Sequence, residues 1–590
     1  MSSTNKTAGQ GKALPGAGGV DRALENQLLS NYLYYTLAAV SFVFIVWRAA
    51  TAANRYFRLV TSLNNETQRY FARQSPRVAW LKKHIIYAPL FGKRHGREFE
   101  LRGSSGSELH LGMLPTRMQT LFILGYFVTN VVFCVIDIPF ADSGASALSL
   151  LRNRSGTLAI VNLIPLFLFA TRNNPLIWLL GISFDTYNLI HRWFGRIVVI
   201  ESVVHTVAFL ANNASKTSWA SAFKTSVTVP YLRDGFIATC SLIVLLVLAV
   251  RTLRHRFYET FKVLHVLLAL VAVVGLWYHL ELKHFTQIIY MYPVLAIWGL
   301  EHVGRVSRVA YYQLGSGASR TIVEALPSNA CRVTVTMARP WTFRPGQHAY
   351  LYMPSISYWQ SHPFSIAWNQ KADEAHRDSL PSHRYDDLAV TKSEVSFIIR
   401  ARAGYTDRLF QKASTSPNGR FVTKCLVEGP YGGLHGLGSY GTVMLFAGGV
   451  GVTQAVPYIR ELVDGYSKGT VAVRKVVFVW IIQSPEHLEW IRPWMTEILA
   501  MERRREVLRI MLFVSQPRST KQIQSPSSTV QMFPGRPNID HLIGSEMENQ
   551  IGAMGVSVCG PGSLHDDVRQ VVRARQGQGC VDFYEESFSW

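Results

Sequence analysis

Seven apolar segments, each close to the length of a membrane-spanning helix, dominate the first 310 residues of this 590-residue chain. A helix needs roughly 20 mainly apolar residues to cross the hydrocarbon layer of a bilayer. The segments lie near 31–50, 118–139, 156–171, 190–211, 235–251, 262–281 and 286–304. The chain is 48% hydrophobic, which is high for a soluble protein. The sequence therefore predicts a multi-pass α-helical membrane bundle of seven spans over residues 31–310.

The basic residues exceed the acidic ones by 22, and much of this excess lies beside the apolar segments. We expect it to orient the spans rather than to bind nucleic acid, since cytosolic loops of membrane proteins are enriched in lysine and arginine. Thirteen basic residues lie from Arg48 to Arg117, so this loop is predicted to be cytosolic. Seven spans then place the N-terminus outside and everything after about residue 305 inside. The sequons at Asn153 and Asn213 fall in external loops, which is compatible with glycosylation.

The first 30 residues are rich in Gly, Ala, Ser and Asn and contain no apolar signal core. We therefore expect no cleaved signal peptide and predict a mobile tail over residues 1–30. The sequon at Asn65 lies in the predicted cytosolic loop and would stay unused. The six cysteines form no CxxC pair, which indicates neither a zinc site nor a disulfide framework.

Two of the apolar segments carry a pair of histidines at the same spacing, His191 with His205 and His265 with His279. On a helix, fourteen residues rise about 21 Å and nearly complete a whole number of turns. Each pair therefore lies on one helix face, near opposite edges of the bilayer. The predicted topology makes the two helices parallel, so that His191 would face His265 and His205 would face His279. Each facing pair could provide both axial ligands of a haem iron, and two stacked haems would span the bilayer.

Histidines in membrane helices have other uses. They form hydrogen bonds in the interior of a bundle, or they line the path of a transported proton or metal ion. The spacing alone does not exclude such a transporter. Two matched pairs favour haem, because iron ligation explains why neutral imidazoles are buried.

The character of the sequence changes after residue 311. Short β-type runs separated by glycine and proline predict a small antiparallel barrel over residues 311–435. These runs are RTIVEAL, CRVTVTMA, QHAYLYMP and EVSFIIRAR. Residues 436–590 alternate strands and helices, as in GTVMLFAGG, TQAVPYIRELVDGY and RKVVFVWII. That alternation is typical of a doubly wound α/β nucleotide-binding domain.

Four motifs follow one another in the barrel region: FRPGQHAYLYMP (343–354), HPFSIA (362–367), RARAGYT (400–406) and EGPYGG (428–433). Together and in this order they resemble the flavin domain of the ferredoxin–NADP reductase superfamily. The resemblance implies bound FAD. It implies that the flavin ring and ribityl chain lie along His362, Pro363, Phe364 and Ser365, and that the pyrophosphate meets Arg400, Arg402 and Thr406. Arginine and backbone N–H groups suit those anionic oxygens.

The segment LFAGGVGVTQAVPYI (445–459) is typical of a strand, a glycine turn and a helix. Its motif residues are Gly448, Gly449, Gly451 and Thr453. Glycines let the backbone approach phosphates, and a helix N-terminus favours their charge. Downstream, VCGPGSLHDDV (558–568) resembles the superfamily's nicotinamide motif, which implies that Cys559, Gly560 and Pro561 lie beside the nicotinamide. The terminal Trp590 is similar to the aromatic residue with which the superfamily covers the flavin.

From about residue 80 onward, the chain resembles the fungal-type ferric-chelate reductases, relatives of the NADPH oxidases. The resemblance also rests on LPTRMQTL (114–121), TRNNPLIWLLG (171–181), HRWFGR (191–196) and FYETFKVLH (257–265). It implies NADPH as donor, FAD, two b-type haems, and one-electron reduction of external ferric or cupric chelates. A functional link to metal-uptake transporters is expected as well. The expected location is the plasma membrane, and the vacuolar membrane is the alternative that the sequence leaves open. Arg192 and Arg196 could pair with haem propionates or anchor their helix at the cytosolic surface.

Two other functions stay open: a superoxide-generating NADPH oxidase with the same electron path, and a transporter or scaffold with a reductase-like tail. The choice between NADPH and NADH also stays open. Gln483 stands where relatives often have an arginine for the 2′-phosphate of NADPH, and an amide carries no charge. Compensating charge could come from Arg518, Lys521 or the Arg503–Arg505 run. Residues 368–393 and 515–538 are predicted to be loops.

Overall fold

The computed structural model of the protein describes residues 17–97, 99–102, 108–140, 144–313, 320–339, 343–358, 360–371, 393–517 and 525–586. The first half is mainly helical, with one short antiparallel hairpin of strands β1 (Phe99–Arg102) and β2 (Glu108–Gly112). Its helices are α1 (Ala17–Ser62), α2 (Pro76–Leu81), α3 (Arg117–Val135), α4 (Gly144–Ala170), α5 (Pro175–Leu180), α6 (Phe184–Ala214), α7 (Trp219–Thr228), α8 (Pro230–Leu248), α9 (Arg251–Arg256), α10 (Tyr258–Glu281) and α11 (Met291–Gln313).

Six helices of the described chain are long and apolar enough to cross a membrane, and they coincide with the first six predicted spans. They lie in α1, α3, α4, α6, α8 and α10. The seventh predicted segment also forms a helix, α11, but Glu301, Arg305 and Arg308 lie along it and it is not among the six. Among the described residues, six helices able to span a membrane are thus confirmed, and a crossing by α11 stays a prediction.

Helix α1 begins at Ala17, so the prediction of a mobile tail through residue 30 is wrong for residues 17–30. Polar contacts hold this part of the helix on the bundle. Glu25 forms an ion pair with Arg154, and Gln27 donates a hydrogen bond to the Tyr290 hydroxyl at 3.0 Å. Residues 1–16, the rest of the predicted tail, lie outside the described residues.

A buried polar network joins α3, α4 and α6 inside the bundle. The Asn162 amide donates to both carboxylate oxygens of Glu201, at 3.1 and 2.9 Å, and to the Asn130 side-chain oxygen at 2.7 Å. The Tyr126 hydroxyl donates to the Asn162 side-chain oxygen. In an apolar surrounding, unpaired polar groups are costly, so these bonds fix how the three helices pack.

The region after α11 contains two antiparallel sheets, as predicted for the barrel. One sheet has the strand order β7-β8-β4-β3-β9 and the other β10-β5-β6. The elements are β3 (Arg320–Leu326), β4 (Ala330–Met337), β5 (Gln347–Tyr352), β6 (Ser361–Ser365), β7 (Trp368–Lys371), β8 (Ser393–Arg400), α12 (Tyr405–Ser414), β9 (Arg420–Lys424) and β10 (Leu426–Gly432). Strand β7 corrects the predicted loop over 368–393, since Trp368 is buried and pairs with Ser396 of β8. Residues 372–392 lie outside the described chain.

The last region is a six-stranded parallel sheet with helices, as the alternating pattern predicts. Its elements are β11 (Thr442–Gly448), α13 (Val452–Ser467), β12 (Lys475–Ile482), α14 (Arg492–Ala500), α15 (Arg504–Val507), β13 (Leu508–Val514), β14 (Val530–Pro534), α16 (Ile539–Glu548), β15 (Met554–Cys559), α17 (Gly562–Ala574) and β16 (Val581–Glu586). The strand order is β14-β13-β12-β11-β15-β16. The chain reverses direction across the sheet at β11, and ligands of such sheets bind at that point, beyond the carboxyl ends of the strands.

Strand β14 shows that the prediction of a loop over 515–538 is wrong in its second half. Val530 and Phe533 pair in parallel with Ile510 and Phe513 of β13, which gives that strand a hydrogen-bonded neighbour at the edge of the sheet. Residues 518–524 lie outside the described chain.

Both C-terminal domains contact the same end of the helical bundle, which we call the flavin-side end; the opposite end is the far end. Arg172, after α4, pairs with Glu428 of β10, and Arg58 of α1 donates hydrogen bonds to Ser439. Asn153 and Asn213 lie at the far end, near the start of α4 and the end of α6. Helices α6 and α10 both run from the flavin-side end to the far end, so they are parallel as predicted.

Candidate functional site

The structure brings the four membrane histidines together in the two predicted pairs. The ring centres of His191 and His265 are 6.2 Å apart near the flavin-side end. The ring centres of His205 and His279 are also 6.2 Å apart, near the far end. Parallel α6 and α10 produce this match because both carry their histidines at the same spacing.

Backbone carbonyl groups of neighbouring helices orient three of these rings. The Nδ1 atoms lie within hydrogen-bond distance of carbonyl oxygens: His191 with Leu166 at 2.9 Å, His205 with Arg152 at 2.7 Å and His279 with Tyr231 at 2.8 Å. A neutral imidazole that donates from Nδ1 keeps the lone pair of Nε2 free. This tautomer can bind a metal ion through Nε2, and the other ring nitrogen of a metal-bound histidine usually has such a partner.

Two glycines make room for the far-end pair. A Cβ atom at Gly156 of α4 would lie 2.5 Å from Nδ1 of His205, and one at Gly235 of α8 would lie 2.5 Å from Nδ1 of His279. Both distances are far below a van der Waals contact. Glycine at these two positions therefore lets α4 and α8 approach the imidazoles closely enough for their carbonyls to bond them.

One cavity of about 2550 Å³ contains both histidine pairs. At the far end its lining includes Asn26, Arg152 and Tyr231. At the flavin-side end it includes Phe364 and Thr406, which belong to the flavin domain. The same space thus extends from the predicted flavin motifs through the bundle to the far end.

The predicted flavin residues occupy β6 and the turn after β8. His362, Pro363 and Phe364 line the cavity, and Ser365 ends β6. The His362 ring lies 4.7 Å from the Tyr405 ring, and its Nε2 is 3.1 Å from Glu259 at the start of α10. Burial, and then Lys262, lower the pKa of His362 to about 4. The imidazole that begins the HPFS motif is therefore neutral at physiological pH.

The predicted pyrophosphate residues are only partly grouped. The backbone N–H of Arg402 donates to the Thr406 hydroxyl at 3.1 Å, so this turn precedes the N-terminus of α12. The Arg400 guanidinium extends instead to Gln483 of the nucleotide domain, at 3.5 Å from its side-chain oxygen. Arg400 thus lies between the two domains.

Charged contacts join the flavin domain to the bundle. Glu428 accepts hydrogen bonds from Arg172 at 2.8 Å and from Arg305 of α11 at 2.9 and 3.0 Å. Arg172 also stacks on the Tyr350 ring, 3.4 Å from its centroid. Burial alone would raise the pKa of Glu428, but Arg172 and Arg305 outweigh it and lower the pKa to about 2. The carboxylate stays ionised and holds both arginines.

The glycine loop of the nucleotide domain packs backbone to backbone against the CGPG motif. A Cβ at Gly451 would lie 2.2 Å from the Cys559 carbonyl oxygen, and one at Gly448 would lie 2.5 Å from Pro561. Gly560 lies against Gly448 in the same way. Gly449 adopts a positive φ of 54° at the turn into α13. These contacts place both predicted motifs at the carboxyl ends of β11 and β15, where a dinucleotide would bind.

Two other motif residues are internal. The Thr453 hydroxyl donates to the Val450 carbonyl at 2.9 Å, so it stabilises the turn. The Cys559 thiol is buried, and burial raises its pKa. Trp590 lies outside the described residues.

The Arg503–Arg505 run is not at the Gln483 position, which corrects the prediction that it could replace the missing arginine. Arg503 pairs with Glu506 at 2.9 Å, and Arg504 donates to the Thr529 hydroxyl at 3.0 Å. The run precedes β13, whereas Gln483 follows β12 in a parallel sheet. The length of the strand, about 20 Å, therefore separates them. Arg518 and Lys521 lie outside the described chain.

The roles of Gly156, Gly235, Arg172 and Glu428 were not predicted from the sequence, although Glu428 begins the EGPYGG motif. Each acts through a contact between distant segments, so no spacing along the chain marks it. The motif TRNNPLIWLLG contains Arg172, but its partner Glu428 lies 256 residues further on.

A helical membrane domain with two facing histidine pairs, joined to a flavin-type barrel and a dinucleotide-binding sheet, defines a membrane-bound electron-transfer protein. Comparison with known families gives the same class. Residues 155–276 match the ferric reductase like transmembrane component, 316–434 an FAD-binding domain, and 440–573 the ferric reductase NAD binding domain. Together these matches cover well over half of the chain, which belongs to the ferric reductase family.

Named relatives are similar over most of the chain. Ferric/cupric reductase transmembrane component 2 of Saccharomyces cerevisiae is 24% identical over 85% of this chain and 70% of its own length. Ferric reductase transmembrane component 4 of the same yeast is 25% identical over 90% of this chain and 76% of its own length. The probable cell surface ferric reductase kap2 of Aspergillus oryzae is 29% identical over 65% of this chain and 50% of its own length.

The transmembrane domain of this family binds haem, and the histidine pairs fit that group. An iron bound to two imidazoles at about 2 Å each separates the ring centres by about 6 Å. Both pairs show 6.2 Å. The oriented Nδ1 atoms and the glycines at 156 and 235 add to this fit. All four residues lie on the cavity surface, where a flat macrocycle has space.

Proposed function

We propose that this chain takes electrons from NADPH, carries them across a membrane and reduces ferric or cupric chelates at the far end. One observation carries the proposal: a single cavity joins the HPFS segment to both histidine pairs. When bound, FAD accepts a hydride from the nicotinamide and releases its electrons singly, and haem iron carries one electron at a time.

The side chains of this protein bind and orient those groups. We propose that His191 with His265, and His205 with His279, hold the two haems, while His362 to Ser365 hold the flavin ring. The glycine loop from Gly448 would bind the phosphates of NADPH at the N-terminus of α13. Arg192 and Arg196 line the cavity at the flavin-side end, where a haem propionate would find positive charge.

The acceptor needs only to come close, because one electron passes to the metal of the chelate without transfer of a proton or an atom. Ferric ion becomes ferrous, or cupric becomes cuprous, one electron at a time. Two of the yeast relatives carry ferric or ferric/cupric reductase in their names. That agreement supports a metal chelate as acceptor here.

We further propose that the flavin-side end faces the cytosol and the far end faces outside, in the plasma membrane. The basic stretch from Arg48 to Arg117 comprises the end of α1 and the chain that leads to α3, and it lies at the flavin-side end, as positive-inside orientation requires. NADPH is cytosolic, and ferrous ion released outside would be available to metal-uptake transporters. The relative from Aspergillus oryzae is named a cell surface ferric reductase, which supports this location.

The test is chelate-dependent oxidation of NADPH by the purified chain, with a ferrous chelator to trap the product. A metalloreductase releases two ferrous ions for each NADPH and is insensitive to superoxide dismutase. Loss of the signal with superoxide dismutase, or equal NADPH oxidation without any chelate, would instead identify an oxidase that reduces oxygen. If the protein transferred no electrons to either acceptor, both reductase functions would be excluded, and a transporter or scaffold function would be favoured.

A further inference from the structure

The chain between α1 and α3 lies along the nucleotide domain rather than free in solvent. We call residues 63–97 the docking segment. Gln68 donates to the Ala472 carbonyl at 2.5 Å, and the Lys82 ammonium pairs with Asp582 at 2.6 Å. Burial alone would raise the pKa of Asp582, but Lys82 outweighs it, so the pKa is lowered and the ion pair persists at neutral pH. The docking segment therefore follows the nucleotide domain over much of its length.

The end of the docking segment is held by one carboxylate. Asp566, in the first turns of α17, accepts three backbone N–H groups: His95 at 2.9 Å, Gly96 at 2.6 Å and Arg97 at 3.0 Å. Asp566 is 5% exposed. Three charge-assisted bonds to consecutive backbone groups fix the position of this turn.

The same turn touches the nicotinamide motif directly. A Cβ at Gly562 would lie 2.0 Å from the Gly96 carbonyl oxygen, and a Cβ at Gly96 would lie 3.2 Å from Cβ of His565. His565 in turn accepts a hydrogen bond from the Gly560 backbone N–H at 3.0 Å. Gly560 belongs to the CGPG motif. A chain of contacts thus leads from the docking segment to the backbone of the motif that is predicted to lie beside the nicotinamide.

The docking segment is equally fixed to the membrane domain. The Arg117 backbone N–H, at the start of α3, donates to the Ala88 carbonyl at 3.0 Å. The His95 ring lies 2.6 Å from the Leu114 carbonyl oxygen, two residues before the N-cap of α3. The turn that contacts the CGPG motif is therefore tied to a membrane-spanning helix.

We infer that the docking segment positions the nicotinamide motif relative to the membrane domain, and that Asp566 is a positioning residue for hydride transfer. The inference rests on the proposed function, because it assumes that NADPH reduces the flavin. Displacing the His95–Arg97 turn would release His565 and Gly560, and a shift of about 1 Å in a reacting group can slow a reaction about 100-fold.

The test compares Asp566→Ala with Asp567→Ala in the full-length protein. Asp567 is the matched control, because it lies on the same helix with the same charge but is exposed. The first measurement is hydrogen–deuterium exchange of the His95–Arg97 amides. The second is anaerobic stopped-flow reduction of the flavin by NADPH, with FAD content as a check on folding. We expect Asp566→Ala to speed exchange and to slow flavin reduction about tenfold or more, with Asp567→Ala like wild type.

Faster exchange with an unchanged rate of flavin reduction would overturn the inference, because the turn would then be only a tether. Unchanged exchange would overturn it as well, because Asp566 would not hold the turn. If the Asp566→Ala protein lost its FAD, the same measurements would be made on Gly96→Ala, whose added methyl group displaces the turn from the other side. A wild-type protein whose flavin NADPH does not reduce would refute the proposed function, while the exchange data would still report on the contact.

Discussion

At the scale of single residues, the glycines beside the far-end histidines leave no space for a larger side chain. Gly156→Ala and Gly235→Ala each place a methyl group 2.5 Å from an imidazole nitrogen. We predict that either change displaces its histidine and removes about half of the haem, with the flavin-side pair intact. The pyridine haemochrome assay of purified protein measures this. Gly125→Ala, whose Cβ meets nothing within 4 Å, is the control and should keep full haem.

The histidine pairs could be predicted from sequence because one periodicity on each helix determines which side chains face each other. Their surroundings could not. Gly156 and Gly235 lie on two helices other than those that carry the histidines, and a glycine in an apolar helix has many possible reasons. Only the packing of α4 on α6 and of α8 on α10 shows what these glycines do.

Glu428 gives a prediction about pH. Its pKa in the folded protein, about 2, is below the usual carboxyl value of about 4.3. The ionised carboxylate therefore stabilises the folded protein above a pH of about 4.3, and this stabilisation is lost as the pH falls toward 2.

We predict that Glu428→Gln, which leaves Arg172 and Arg305 without their carboxylate, slows electron transfer from flavin to haem but not reduction of the flavin by NADPH. Stopped-flow spectra at the flavin and haem bands separate the two steps, and equal slowing of both would contradict this role.

At the scale of elements, the glycine loop and β15 pack backbone to backbone at the proposed nucleotide site. Gly451→Ala brings a methyl group to 2.2 Å from the Cys559 carbonyl oxygen, which must push the loop out of place. We predict at least a tenfold loss in kcat/KM for NADPH, while dithionite still reduces the haems fully. Gly436→Ala, with open space at its Cβ, should leave both measurements unchanged. A normal kcat/KM in Gly451→Ala would exclude this loop from nucleotide binding.

The sequence predicted long elements better than short ones. Six membrane helices and the strands of the parallel sheet have enough periodic residues to identify them. Strand β14 was not predicted because its five residues follow a polar segment and are held in place by pairing with β13. Helix α11 has the length of a span, but its Glu301 accepts hydrogen bonds from the backbone of Arg172 and Asn173. A hydropathy profile does not show such contacts.

At the scale of the whole molecule, the orientation in the membrane makes a separate prediction. Asn213 lies at the far end, whereas Asn65 lies in the docking segment, where its side-chain oxygen accepts from the Thr67 and Gln68 backbone. If the far end faces outside, Asn213→Gln should lose a glycan that endoglycosidase removes from wild type, and Asn65→Gln should not change in mass. A glycan on Asn65 would reverse the proposed orientation.

The sequence also predicted the two C-terminal domains and their order, but not how they are attached to the membrane domain. The contacts of Asp566 with residues 95–97 join segments about 470 residues apart, and no sequence motif predicts these contacts. The predicted boundaries at 310 and 435 stay predictions.

The most direct test of the electron path is the reduced-minus-oxidised absorption spectrum of the detergent-purified protein, before and after anaerobic NADPH, in wild type and in His265→Ala. We predict a b-type haem signal that NADPH alone produces in wild type. We predict about half as much haem in His265→Ala, with the remaining haem no longer reduced by NADPH because the flavin-side haem is missing. Wild-type protein without haem, or a variant with a full and NADPH-reducible haem signal, would contradict the pairing of His191 with His265.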